Sequence, residues 1–211
     1  MKIKKPKINK NMLEDNLKIS LSTSIIENRI FSNQVVEDSN INDVEFNSCI
    51  FKKVDFSKVN IENIDFIDCI FDSCDLSGLK IFSRKITRTE FKNCKILGMF
   101  IDNSFVDNTF FSNCNLCYST IADTNLSSVL FDECKMKDIR FYNLTLKQFC
   151  LNNNDMENLE LINTKLKGID LSSCNITNLK ANSTDIEGMI IESYQLLEIA
   201  SLFGVEIKES I

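Results

Sequence analysis

Histidine and tryptophan are absent from the 211 residues, proline occurs once and glycine five times. Without histidine the commonest general base and metal ligand near neutral pH is missing. Pro6 is the one residue that cannot donate to a backbone ladder, and it lies at the start of the chain. No apolar run approaches the roughly 18 residues of a membrane span. The basic start (Lys2, Lys4, Lys5, Lys7, Lys10) is not followed by the apolar segment of a secretory signal. Neither membrane attachment nor export is expected, which leaves the cytoplasm. A phosphate-cradling glycine loop is also missing.

What the chain has instead is a hydrophobic residue at every fifth position, in one register from Leu21 to Leu196, with Ala181 the smallest occupant. A period of five fits neither the helical 3.6 nor the extended 2.0, so the chain reads as a repeat protein. Two residues before each such hydrophobe stands a second inward candidate, usually small or apolar, as at Val44, Cys49, Val54, Ile64, Cys69, Thr124 and Ile169. Two residues after it comes Asn, Asp or Gly, as at Asn33, Asp43, Asp68, Gly78, Asn93, Gly98, Asn113 and Gly168. These tolerate the left-handed backbone of a sharp corner, so each unit is a short extended side plus a corner.

Phe31, Phe51, Phe71, Phe91, Phe111 and Phe131 are spaced by twenty, as are Cys74, Cys94, Cys114, Cys134 and Cys174, with Asn154 interrupting. Twenty residues per coil give four sides, and identical residues then stack on successive coils about 4.8 Å apart. The expected fold is an all-β, four-sided parallel β-solenoid whose stacked ladders form the core. An N-terminal extension and cap is assigned to 1–20, the repeats to 21–192, and a C-terminal helix and tail to 193–211. Units such as Cys74-Asp75-Leu76-Ser77-Gly78 and Cys174-Asn175-Ile176-Thr177-Asn178 resemble the pentapeptide-repeat family over nearly the whole chain. That resemblance implies a right-handed quadrilateral β-helix; it does not by itself give a function.

Seven of the nine cysteines (Cys49, Cys69, Cys74, Cys94, Cys114, Cys134, Cys174) fall on the inward position, where Cys packs as a small hydrophobe. Cys114 and Cys117 make a lone CxxC with one thiol inward and one outward, which is weak as a zinc motif. Cys117 and Cys150 should be the more exposed thiols. No metal or other cofactor is expected. With acidic residues on outward positions rather than in a cleft, the chain reads as a noncatalytic surface, not an enzyme.

Between Ile96 and Cys134 there is no Lys or Arg, while Asp102, Asp107, Asp123, Asp132 and Glu133 supply five negative charges. A second acidic stretch holds Asp55, Glu62, Asp65, Asp68, Asp72 and Asp75, relieved by Lys58. Such surfaces repel nucleic acid and attract basic grooves; the alternative is a solvated face that keeps the rod soluble. Phe100, Phe105 and Phe110 precede the central hydrophobe and so point outward. They are either a partner surface or local packing over a corner.

The repeat gives way to Tyr194 through Gly204, a helix with Ser193 as N-cap and Gly204 as stop. Leu196, Ile199, Ala200 and Phe203 would cap the last coil. Val205-Glu206-Ile207 is read as a short strand, and Leu197, Leu202, Val205 and Ile207 are left to form a C-terminal homodimer. Asp185-Ile186-Glu187-Gly188, Ile191, Tyr194-Gln195 and Gly204-Val205-Glu206-Ile207 resemble the C-terminal region of Qnr-type quinolone-resistance proteins. That resemblance implies a DNA-mimicking dimer that engages DNA gyrase or topoisomerase IV and relieves quinolone inhibition, without binding nucleic acid itself.

About nine coils give a rod near 43 Å, and a tail-to-tail dimer approaches 90 Å, matching roughly 25 base pairs at about 3.4 Å each. Asp102 to Glu133 would be the contact set. The competing reading is a general protein-interaction scaffold using Phe100, Phe105 and Phe110. The least regular stretch is Phe82 to Thr89, where Arg84 takes a nominally inward site and an outward five-residue bulge would preserve register.

Overall fold

Short extended units joined by corners can close their backbone hydrogen bonds only onto the coil before and the coil after, and the computed structural model shows that arrangement. It describes residues 2–17, 24–37 and 40–205. Four faces follow one another around each coil. Face 1 is centred on Phe31 to Leu171, face 2 on Val36 to Ile176, face 3 on Ile41 to Ala181 and face 4 on Ile26 to Ile186. Every strand pairing among the described residues is parallel, and facing residues differ by twenty, as in Phe91↔Phe111 and Ile101↔Ile121, except at the N-terminal rung and at Lys80↔Glu62. The sheet on face 3 has eight strands, so about eight coils stack rather than nine. The ninth is not completed because the chain turns helical at Ser183–Ile186.

Faces 4 and 1 share one 12-stranded sheet, because Phe105–Ser112, Asn125–Asp132 and Thr145–Asn152 run unbroken round the corner between them. Face 2 is held by single bridges such as Asp75↔Lys95 and Lys95↔Asn115. Its Asp and Asn side chains accept from the backbone two residues on, Asp75 from Ser77 N–H at 3.0 Å and Asn115 from Cys117 N–H at 3.2 Å. These Asx turns compete with strand formation on that side. Most corners take positive φ, for example Asn93 at 54°, Asn113 at 52° and Gly78 at 77°.

Inside, the phenylalanines of face 1 stack nearly parallel: Phe71 on Phe91 at 4.9 Å between centroids, Phe91 on Phe111 at 4.7 Å and Phe111 on Phe131 at 4.6 Å. The small inward residue two positions earlier has a second task beyond packing. Its donor reaches a carbonyl 23 residues back, Cys114 Sγ to Phe91 O at 3.4 Å, Thr109 Oγ1 to Ile86 O at 3.5 Å, Ser119 Oγ to Ile96 O at 3.3 Å. Asn154, the break in the cysteine ladder, donates Nδ2 to Phe131 O at 2.9 Å and accepts Cys134 N–H at 2.9 Å. A small side chain with a donor therefore closes one more hydrogen bond between coils than the purely apolar residues that share this position, such as Val54 and Ile64.

All seven inward cysteines are buried and only Cys117 and Cys150 are partly open. Burial pushes the Cys69 thiol well above its ordinary value. A thiol-specific reagent is expected to titrate two groups in the native protein and all nine cysteines after denaturation; rapid native reaction of more than two would refute the inward placement.

The stretch 82–89 does not bulge. Lys85–Thr87 forms a regular strand in register with Phe105 to Asp107, and Arg84 stays in line while its guanidinium turns outward to Asp43 and Asp65. The irregular rung lies one coil earlier, where Lys80 sits opposite Glu62.

At the N-terminal end, Leu13–Glu14 adds a rung beside Arg29 and Ile30, and Leu17 is fully buried. Gln34 locks this cap by accepting Leu17 N–H at 2.9 Å and donating to Asp15 O at 2.7 Å. Residues before it run back along the outside of the rod.

The C-terminal end differs from the expectation in detail. A 3₁₀ turn, Ser193–Gln195, precedes the α-helix Leu196–Ser201, and the N-cap is Glu192, not Ser193. Gln195 selects it by accepting Glu192 N–H at 2.8 Å. The tighter opening turn rotates the helix, so Ile199 and Leu202 pack on the core while Leu196 and Phe203 stay exposed. Gly204 ends the helix with φ 67°.

Candidate interaction surfaces

Because each corner turns the chain by one face, residues five apart in sequence belong to different sides of the rod. Phe100, Phe105 and Phe110 therefore do not form one surface: they lie on faces 3, 4 and 1. Phe105 is 55% exposed. Phe100 instead packs against Phe82 with centroids 5.4 Å apart, and Phe110 is half-buried under the N-terminal segment beside Ile3. Tyr118, on face 2, is 64% exposed.

The acidic residues are distributed in the same way. Asp102 and Asp123 lie on face 3, Asp107 on face 4, and Asp132 with Glu133 on face 1, so together they band three sides of the middle coils instead of lining one. Asp123 accepts Asn143 Nδ2 at 2.9 Å, Asp132 accepts Asn152 Nδ2, and Asp107 accepts Asn108 Nδ2 at 2.6 Å. None of the five enters an ion pair among the described residues.

The second acidic stretch is largely compensated. Four of its six carboxylates meet cations of the next coil: Glu62 with Lys80 at 2.8 Å, Asp65 with Arg84 at 3.3 Å, Asp68 with Arg88 at 2.6 Å and Asp75 with Lys95 at 2.9 Å; Asp55 and Asp72 enter no ion pair among the described residues. Burial alone would raise the Asp68 carboxyl, but the Arg88 guanidinium and Lys7 N–H outweigh it and hold it below the usual carboxylate range. Later coils are compensated too, through Lys137 to Glu157 and Arg140 to Glu160. The coils from Ile96 to Cys134 carry five carboxylates and no Lys or Arg of their own, so they stay net acidic even with Lys4 and Lys5 of the N-terminal segment lying beside Asn108 and Phe110.

At the C-terminus, Leu197 and Val205 are exposed, 59% and 55%, beside Leu196 and Phe203. Leu202 is half-buried against the core and faces away from that patch. Ile207 and Glu206 lie outside the described residues. Among the described residues no group of Cys, Asp or Glu is arranged to hold a metal ion, and no helix is long and apolar enough to cross a membrane.

A family model described as a pentapeptide repeat region matches residues 64–141 and 84–161, and one for pentapeptide repeats in eight copies matches 38–81. Together they run from 38 to 161 without a gap. Among solved structures, full-length QnrB1, a plasmid-mediated fluoroquinolone resistance protein, is 19% identical, covers 92% of this chain and 97% of its own, and superposes with a TM-score of 0.40. HetL of the cyanobacterium Nostoc sp. strain PCC 7120, a pentapeptide repeat protein involved in heterocyst differentiation regulation, is 10% identical over 80% of this chain and 90% of its own, TM-score 0.26. Rfr23 of the cyanobacterium Cyanothece 51142 is 9% identical over 55% and 66%, TM-score 0.24. No curated protein sequence matches.

Proposed function

Because this chain belongs to the pentapeptide-repeat family, we propose that it is a noncatalytic, cytoplasmic DNA mimic that occupies the basic DNA-binding saddle of DNA gyrase or topoisomerase IV and protects the enzyme from quinolones. The observation that carries this reading is the pairing pattern. Many of the carboxylates on either side of the middle coils meet a cation one coil away, whereas none of Asp102, Asp107, Asp123, Asp132 and Glu133 does, which leaves these five to attract a positive partner. The Qnr-like C-terminal sequence supports the choice of enzyme. Eight coils make a rod of about 38 Å, and joining two through the exposed Leu197 and Val205 doubles the acidic length.

The test is gyrase supercoiling and quinolone-induced cleavage with rising amounts of purified protein, beside a variant with Asp102, Asp107, Asp123 and Asp132 replaced by Asn. Wild type is expected to inhibit supercoiling or relieve drug-induced cleavage, and the variant to need roughly tenfold more protein or fail, with the same loss in high salt. No effect of wild type on either enzyme overturns the reading. It leaves the scaffold reading, which the exposed Phe105 and Tyr118 favour and which predicts partner binding insensitive to salt.

A further inference from the structure

Residues 2–10 lie along the ridge where face 4 turns into face 1, parallel to the rod axis and outside every coil. Lys4 N–H donates to Asn108 Oδ1 at 2.9 Å, and Lys7 N–H donates to Asp68 Oδ1 at 2.8 Å. Lys7 O in turn accepts from Ser48 Oγ at 3.1 Å. Asn108 and Asp68 are two coils apart, about 9.6 Å, which is the span of three extended residues at about 3.3 Å each. An extended peptide is thus commensurate with the coil repeat, and its backbone reads side chains at the left-handed corner positions.

The ridge is shaped for such a peptide and leaves its lysines in solvent. A cavity of about 230 Å³ beside it is lined by Ile3, Lys5, Glu90, Phe110 and Leu130. Ile3, Pro6 and Ile8 are half-buried against the rod, while all five lysines of the segment stay exposed. Asp68, Asn108 and Ser128 on the ridge are themselves almost inaccessible, although they occupy corner positions that are open on most other coils.

We propose that this ridge is a binding site for an extended, lysine-rich peptide segment of a partner protein, and that the chain's own residues 2–10 hold it as a tethered competitor. A short tether gives the resident segment an effective concentration in the millimolar range, so an incoming basic segment must exceed that to displace it. The inference does not depend on which protein the acidic coils engage.

The probe is a fluorescent synthetic peptide of residues 2–10, titrated against the full chain and read by anisotropy. Replacing Lys4 and Lys7 by Pro in the full chain removes the two backbone donors while leaving the coils untouched. This variant is expected to bind the peptide roughly tenfold or more tightly than wild type does, because its ridge is vacant. Adding Asn108→Gly, which keeps the positive φ of the corner but deletes the acceptor, should cancel the gain. A peptide N-methylated at its Lys4 and Lys7 amides, with every charge retained, should not bind. Equal binding to wild type and variant, or equal binding of the methylated peptide, would overturn the proposal, the latter by showing attraction of charge alone. As a second readout, the Lys4 and Lys7 amides of the wild-type protein should exchange slowly with solvent and lose protection when unlabelled peptide is added; exchange at random-coil rates in the free protein would equally overturn it.

Discussion

Phe111→Ala should lower the stability of the protein by about 3 to 5 kcal/mol, the range for emptying a fully buried Phe site, and the melting temperature by on the order of 10 °C for a chain of this size. Phe111 is 1% exposed and sits between two rings of the same ladder, at 4.7 Å from Phe91 and 4.6 Å from Phe131. Its removal takes one disc from the middle of a stack. The coils above and below cannot close the gap, because their spacing is fixed by backbone hydrogen bonds rather than by the side chains. Phe111→Leu should recover most of the loss, since Leu151 and Leu171 already serve at the same site on later coils. Thermal and urea unfolding of the three proteins would check this, and a wild-type midpoint for Phe111→Ala would contradict the register of the entire solenoid.

Gln195→Leu is expected to cost about 1 to 3 kcal/mol and to free the C-terminal helix before the coils melt. The Gln195 amide is 2% exposed and plugs the end of the rod. It donates to Cys174 O at 2.7 Å and Leu171 O at 3.0 Å, and accepts Glu192 N–H at 2.8 Å. Leucine fills the same volume but leaves Cys174 O buried without a partner, at about 1 to 3 kcal/mol; Glu192 N–H also loses its acceptor, but Glu192 is exposed and water can replace it. Leu171 O retains the Cys174 N–H at 2.9 Å, so it adds little. Hydrogen exchange should show residues 193–204 opening at lower denaturant than the middle coils. If they open together with the coils in both proteins, the plug is not what holds the cap. The same variant is a probe of association, because Leu197 and Val205 are carried on the segment it would release.

Much of the fold was legible because the repeat is local in sequence. Phe91 and Phe111 announce by their spacing that they stack, and Asn93 and Asn113 announce a corner two residues later. The inward cysteines were legible as packing but not as donors, since the carbonyl each one meets is 23 residues away and is visible only once coils are stacked. The C-terminal cap lies one residue earlier than residue type suggests: Ser193 is the better N-cap by type, but the Gln195 side chain selects Glu192. For the proposed interaction surface, the sequence marks the acids but cannot group them. Asp102, Asp107 and Asp132 look contiguous in the chain and are carried round three faces by the corners. Arg84, at an inward position, looked like a break in register, but a long side chain can leave the core line and reach Asp43 and Asp65 without moving the backbone.

By itself, then, the sequence determined the period, the four faces, the ladders at their centres and the corners between them, since each depends on residue type at a fixed spacing of five or twenty. Tertiary structure alone decided which charges are neutralised and where the basic N-terminus lies. Both follow from contacts between residues whose separation carries no sequence signal: Lys4 meets Asn108, and Lys7 meets Asp68, only because stacking brings distant coils to one ridge.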